Sequence, residues 1–96
     1  MKEYSEVTIS IIEKHYQEIS KNVKKVRLSK KMTQEAVALA MGFTTATFYT
    51  NAENFKRGKH FNLEHIIKLS YILKCDIAEL ISCTQENIEN DLKNFK

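Results

Sequence analysis

The chain reads as an all-α protein, and three observations carry that reading. It has no proline and only two glycines in 96 residues, whereas an all-β sandwich or barrel needs a turn signal every ~8–12 residues. Apolar residues recur at spacings of three and four along most of the chain, which puts them on one face of a helix. Each later stretch of this kind is preceded by Thr, Asn or Asp, whose side-chain oxygen caps free N–H groups at a helix start. The length fits one domain, and 43% hydrophobic with 28% charged residues is a folded rather than a disordered composition.

Element by element, Ile9, Ile12, Tyr16, Ile19, Val23 and Val26 form a stripe that predicts a long first helix from about Ser5 to Lys30. Thr33 caps a second helix through Met41, which Gly42 ends because glycine enters the left-handed conformation at little cost. Thr44 or Thr45 caps a third, reaching about Asn54. Residues 55–61 hold Gly58 and three cations and read as a loop. Asn62 caps a fourth helix carrying Leu63, Ile66, Ile67, Leu69 and Leu73. Asp76 caps a short fifth with Ile77, Leu80 and Ile81, and Thr84 a C-terminal segment with Ile88, Leu92 and Phe95 on one face. The expected organisation is one domain over 1–96: a helical extension at 1–18, a core at 19–82 and an amphipathic tail at 83–96.

The two short helices joined at Gly42 meet the demands of a helix-turn-helix. Val37 and Met41 lie one turn apart and face the core. Ala38 is small where the next helix crosses closely, Gly42 makes the turn, and Phe43 and Phe48 fill the space between the helices. Charge points the same way. Residues 14–75 carry twelve Lys and Arg against four Glu, net +8, while residues 1–13 and 76–96 are net −2 and −3. Clustered cations of this kind attract a polyanion.

On these residues the chain resembles the Xre/Cro/phage-repressor family of helix-turn-helix DNA-binding domains. The likeness runs from about Ile19 to Ile81. It rests on Val26-Arg27, Met32-Thr33-Gln34-Glu35, Met41-Gly42-Phe43-Thr44, Ala52-Glu53-Asn54, Leu63 to Leu73 and Ile77-Ala78-Glu79-Leu80. It implies a five-helix, lambda-repressor-like domain with an extended first helix and a short C-terminal helix. Where the family has an apolar residue three positions after Phe48, this chain has Asn51, and Ala52 follows. A one-residue bulge or a rotated last turn of the third helix is therefore expected.

The resemblance implies that the third helix enters the major groove of double-stranded DNA. Thr45, Ala46 and Thr50 then match base-reading positions, with Thr47 and Tyr49 beside them. Gln34, and Thr44 at the elbow, are expected at phosphates. This surface has no Arg for guanine and no Gln for adenine, so direct readout is expected to be modest. Lys56, Arg57 and Lys59, with Arg27, Lys30 and Lys31, are the expected phosphate partners. Glu53 is expected to accept loop N–H groups or pair with Arg57, Asn54 to cap the helix, and His60 to meet phosphate or solvent.

A symmetric pair covers two half-sites, so a homodimer is expected, with Ile9, Ile12, Tyr16, Ile88, Leu92 and Phe95 as interface candidates. The expected role is a transcriptional regulator. The alternative is an antitoxin-type module that binds a partner protein and represses its own operon. No enzyme, cofactor or metal site is expected: His15, His60, His65, Cys75 and Cys83 lie at no metal-ligand spacing, and there is no glycine-rich phosphate loop. The start of the chain lacks a secretion signal, no apolar run spans a bilayer, and the cysteines read as reduced, so a cytoplasmic protein is expected.

Overall fold

The computed structural model describes residues 2–82, and their side chains from Ile9 onward. Five helices account for them: α1 (Lys2–Ser29), α2 (Gln34–Ala40), α3 (Thr47–Glu53), α4 (Leu63–Leu73) and α5 (Ile77–Ile81). The segment expected from Thr84 onward, with Ile88, Leu92 and Phe95, lies outside the described residues.

α1 has 28 residues, but its apolar stripe is used unevenly. Val23 is fully buried and Ile19 and Val26 pack against the core, together with the buried Ser20 and Arg27. Ile9, by contrast, is 73% exposed and Ile12 is 43% exposed. The outer part of α1 thus keeps an amphipathic pattern with no core beneath it among the described residues. Lys31, at φ 58°, closes the helix in the left-handed conformation, and the Met32 N–H returns to the Arg27 carbonyl at 3.3 Å.

The core is built from Val23, Val37, Ala38, Met41, Tyr49, Ala52, Phe61, Ile66, Leu69, Leu73 and Leu80, with at least one residue from every helix. Two polar contacts tie α1 to its neighbours. The Ser20 hydroxyl donates to the Ala52 carbonyl at 2.8 Å, and the Asn22 amide donates to the Leu80 and Ser82 carbonyls at 3.1 and 2.8 Å.

The helix starts follow the sequence in two cases and depart from it in two. Thr33 accepts the Ala36 N–H at 3.0 Å. Asn62 and His65 form a reciprocal capping box, in which Asn62 accepts the His65 N–H and the His65 Nδ1 accepts the Asn62 N–H. Burial holds the His65 imidazole below its ordinary pKa, which keeps it neutral and so able to accept. Asp76 stands at the N-cap of α5 without a side-chain bond, and the Glu79 N–H goes instead to its backbone carbonyl. The cap expected at Thr44 or Thr45 also fails, because α3 starts later. Its N-cap is Ala46, and the Thr45 hydroxyl only approaches the Thr47 N–H at 3.5 Å.

Gly42 makes the elbow as expected. Its φ is +99°, and the Phe43 N–H reaches back to the Ala38 carbonyl at 3.1 Å. A Cβ at this position would meet nothing within 4 Å. Gly42→Ala is therefore expected to cost only the backbone strain of a side chain at positive φ, about 1–2 kcal/mol of stability, read from a denaturant midpoint. A neutral result would show that the elbow relaxes to another conformation.

Candidate nucleic-acid interface

The interface is built around α3, whose orientation is set from behind. Tyr49, Ala52 and Glu53 are its buried residues. The expected bulge is absent: the helix is regular, with Tyr49 rather than Phe48 on the fully buried line. Later entry into the helix after Gly42 turns the whole element, so Ala52 meets the core without distortion and Asn51 moves outward. Phe48 lies on the flank against Phe43, ring centroids 5.2 Å apart, and both rings pack around His65.

Behind α3 lies a buried carboxylate network. The Arg27 Nε and Nη2 donate to the two Glu53 carboxylate oxygens at 2.8 and 2.9 Å, a fork-on-fork pair with almost no exposed surface. The Tyr49 hydroxyl donates to Glu53 Oε2 at 2.5 Å, and the Gln34 amide to Oε1 at 3.0 Å. The remaining Arg27 nitrogen, Nη1, donates to the Met32 carbonyl at 2.7 Å. One carboxylate thereby joins α1, the start of α2 and the end of α3.

Burial pushes the Glu53 carboxyl up, but the hydrogen bonds from Arg27, Tyr49 and Gln34 outweigh it and hold the group below its ordinary value of 4.5. The hydrogen bond to Glu53 raises Arg27, and burial followed by the Glu53 hydrogen bond raises Tyr49, so the guanidinium and the phenol keep their protons. The stability contributed by Glu53 is fully present above pH 4.5 and is lost as pH falls through the lower folded-state value. In urea titrations across pH 3–6, the wild type is expected to lose stability on acidification more steeply than Glu53→Gln. Parallel curves would contradict the shift.

Two expected contacts are corrected by this network. Arg27 is buried and all its nitrogens are engaged within the protein, so it does not face a phosphate. Tyr49 is fully buried with its hydroxyl on Glu53, so it is not on the base-reading surface. The expected partner of Glu53 changes as well, from Arg57 to Arg27. Gln34 is half-buried, and its amide lies between Glu53 and the Thr50 hydroxyl, which donates to it at 3.3 Å. The signal for the ion pair was present in the sequence. Arg27 continues the inward stripe of α1, and Glu53 follows Tyr49 by one turn.

The other expected positions are open. Thr44, Thr45 and Thr47 are exposed, and Ala46 and Thr50 are half-buried. Lys30, Lys31, Lys56, Arg57 and Lys59 are exposed, and none has an ion-pair partner among the described residues. The loop after α3 is ordered by backbone bonds. Phe55 is left-handed at φ 52°, and the Lys56 N–H returns to the Asn51 carbonyl at 2.8 Å. Arg57 and Gly58 both have positive φ, as in a type I′ turn, closed by the Lys59 N–H on the Lys56 carbonyl at 3.0 Å. His60 does not face solvent freely: its ring stacks on Tyr16 at 3.8 Å and 17°. That contact covers one face of the Tyr16 ring within the protomer, and Tyr16 is half-buried.

Two crossed helices on a glycine elbow, the second anchored from behind and open in front, define a helix-turn-helix DNA-binding domain. The chain belongs to the Cro/C1-type helix-turn-helix DNA-binding domain family, whose model matches residues 22–86. No curated protein and no solved structure matches it. Among the described residues, no helix is long and apolar enough to cross a membrane.

Proposed function

We propose that the chain is a sequence-specific transcriptional regulator that binds double-stranded DNA as a homodimer on a two-fold operator. The observation that carries this is the orientation of α3. Tyr49, Ala52 and Glu53 fasten its rear to the core, leaving Thr45 and Thr47 open for the major groove. The exposed cations Lys30 and Lys31 follow Arg27 in the chain, and Lys56, Arg57 and Lys59 follow Glu53, and they neutralise phosphates beside the inserted helix. Gln34 and Thr44 contact phosphate beside them, Gln34 through the amide hydrogen that Glu53 leaves over. Ile9 and Ile12, apolar and exposed on the outer part of α1, supply dimer surface.

The test is enrichment of binding sites from a random duplex library. The expected motif has two-fold symmetry, with half-site centres about 10 base pairs apart. A protein that retains no duplex at low salt overturns the proposal. A partner protein has one observation in its favour: Leu63, Ile67 and Tyr71 stand exposed in a row on α4. Recovery of an adjacent gene's product at fixed stoichiometry is the expected result under that second reading, and recovery of the chain alone removes it.

A further inference from the structure

The phase of α3 exposes a residue that its sequence position disguises. At 100° per residue, the face opposite Tyr49, Ala52 and Glu53 is centred on Thr47, with Asn51 one turn further along. Asn51 occupies the place where an apolar residue was expected, yet it is only half-buried, and its side chain makes no hydrogen bond among the described residues. Its backbone is held, because its carbonyl accepts the Lys56 N–H at 2.8 Å. The carboxamide is thus free at its polar end and fixed at its root.

We propose that Asn51 reads an adenine in the major groove, donating to N7 through its amide and accepting from the exocyclic amine through its carbonyl oxygen. This rests on the DNA-binding reading above. An asparagine offers one donor and one acceptor side by side, and adenine is the base whose major-groove edge presents their complement. The other nearby carboxamides are less suited. Gln34 is engaged by Glu53 and Thr50. Asn54 is the C-cap, at the end of the helix farther from the elbow. Thr47 lies about 6 Å from Asn51 along the axis, nearly two base-pair steps, and its methyl meets a thymine methyl on the neighbouring pairs. The reading surface therefore carries a directional contact, and the half-site contains a required A·T pair.

The experiment is parallel enrichment from a random duplex library with wild type, Asn51→Ala, Asn51→Gln and Asn54→Ala, each checked for helicity by circular dichroism. The wild type is expected to enrich a motif with an adenine in each half-site. Asn51→Ala is expected to lose that preference by about 10-fold or more at that pair alone, with the salt dependence of binding unchanged. Asn51→Gln, which keeps the carboxamide, retains part of it, and Asn54→Ala keeps the wild-type motif. An Asn51→Ala motif with the same base weights as wild type overturns the assignment while leaving DNA binding intact. A wild type that binds no duplex overturns the DNA-binding reading first, and this assignment with it.

Discussion

Arg27→Ala is expected to lower folding stability by about 3–5 kcal/mol, the usual effect of removing one partner from a buried ion pair. The substitution strands Glu53, which is 4% exposed, and leaves the Tyr49 and Gln34 donors on an uncompensated carboxylate. It also frees the Met32 carbonyl that the guanidinium holds. A domain of this size has only about 5–14 kcal/mol in total, so the loss removes a large share of it. The remedy separates charge from shape. Arg27→Met combined with Glu53→Met and Tyr49→Phe removes the buried charges and the phenol, leaving only the Met32 carbonyl and the half-buried Gln34 amide without their partners, and is expected to recover much of the stability. Urea unfolding followed by circular dichroism measures both. A loss below about 1 kcal/mol for Arg27→Ala would mean that the pair is not what holds α3 to α1.

The second large effect concerns the loop cations. Replacing Lys56, Arg57 and Lys59 together by alanine is expected to reduce the slope of log affinity against log salt by about 2.7 per bound protomer, from ~0.9 per phosphate contact. Between 50 and 200 mM salt the wild type should then lose roughly 40-fold more affinity per protomer than the variant. The triple variant should fold normally. These side chains are exposed and unpaired among the described residues, and the turn they decorate is held by backbone bonds. Equal slopes in a filter-binding titration would place the phosphate contacts elsewhere. Because phosphates carry no sequence information, the enriched motif should be unchanged.

These two variants probe parts of the molecule that differ in how readable they were. The caps at Thr33 and Asn62 involve residues three apart, and the elbow needs only a glycine able to adopt φ +99°. Such features act over a few residues, so composition and spacing reveal them. The stripe from Ile19 to Val26 was legible for the same reason, since periodicity reports which face seeks burial. Periodicity does not report whether a core exists to receive that face, and Ile9 and Ile12 continue the pattern into solvent.

The interface residues were harder to assign. The motif singled out the third helix as the groove-facing element, and Thr44, Thr45 and Thr47 are exposed. Tyr49 and Arg27 were misplaced because their chemistry is ambiguous at sequence level: a phenol and a guanidinium serve a core network as readily as a ligand. One residue of delay in starting α3 rotates each side chain by about 100° relative to a count from Gly42, enough to exchange inward and outward positions.

The amino-acid order by itself determined that this chain is helical, where two short helices meet at a glycine, and that its middle is cationic, because each of those properties is local or additive along the chain. Only the tertiary structure decided that Arg27 belongs to Glu53, 26 positions away, and that Tyr49 is buried while Asn51 stays half-buried. The reason is physical: a helix carries no preference for its own rotation until another surface buries one side of it. Here that surface is the core, together with a carboxylate held by three side chains through four hydrogen bonds.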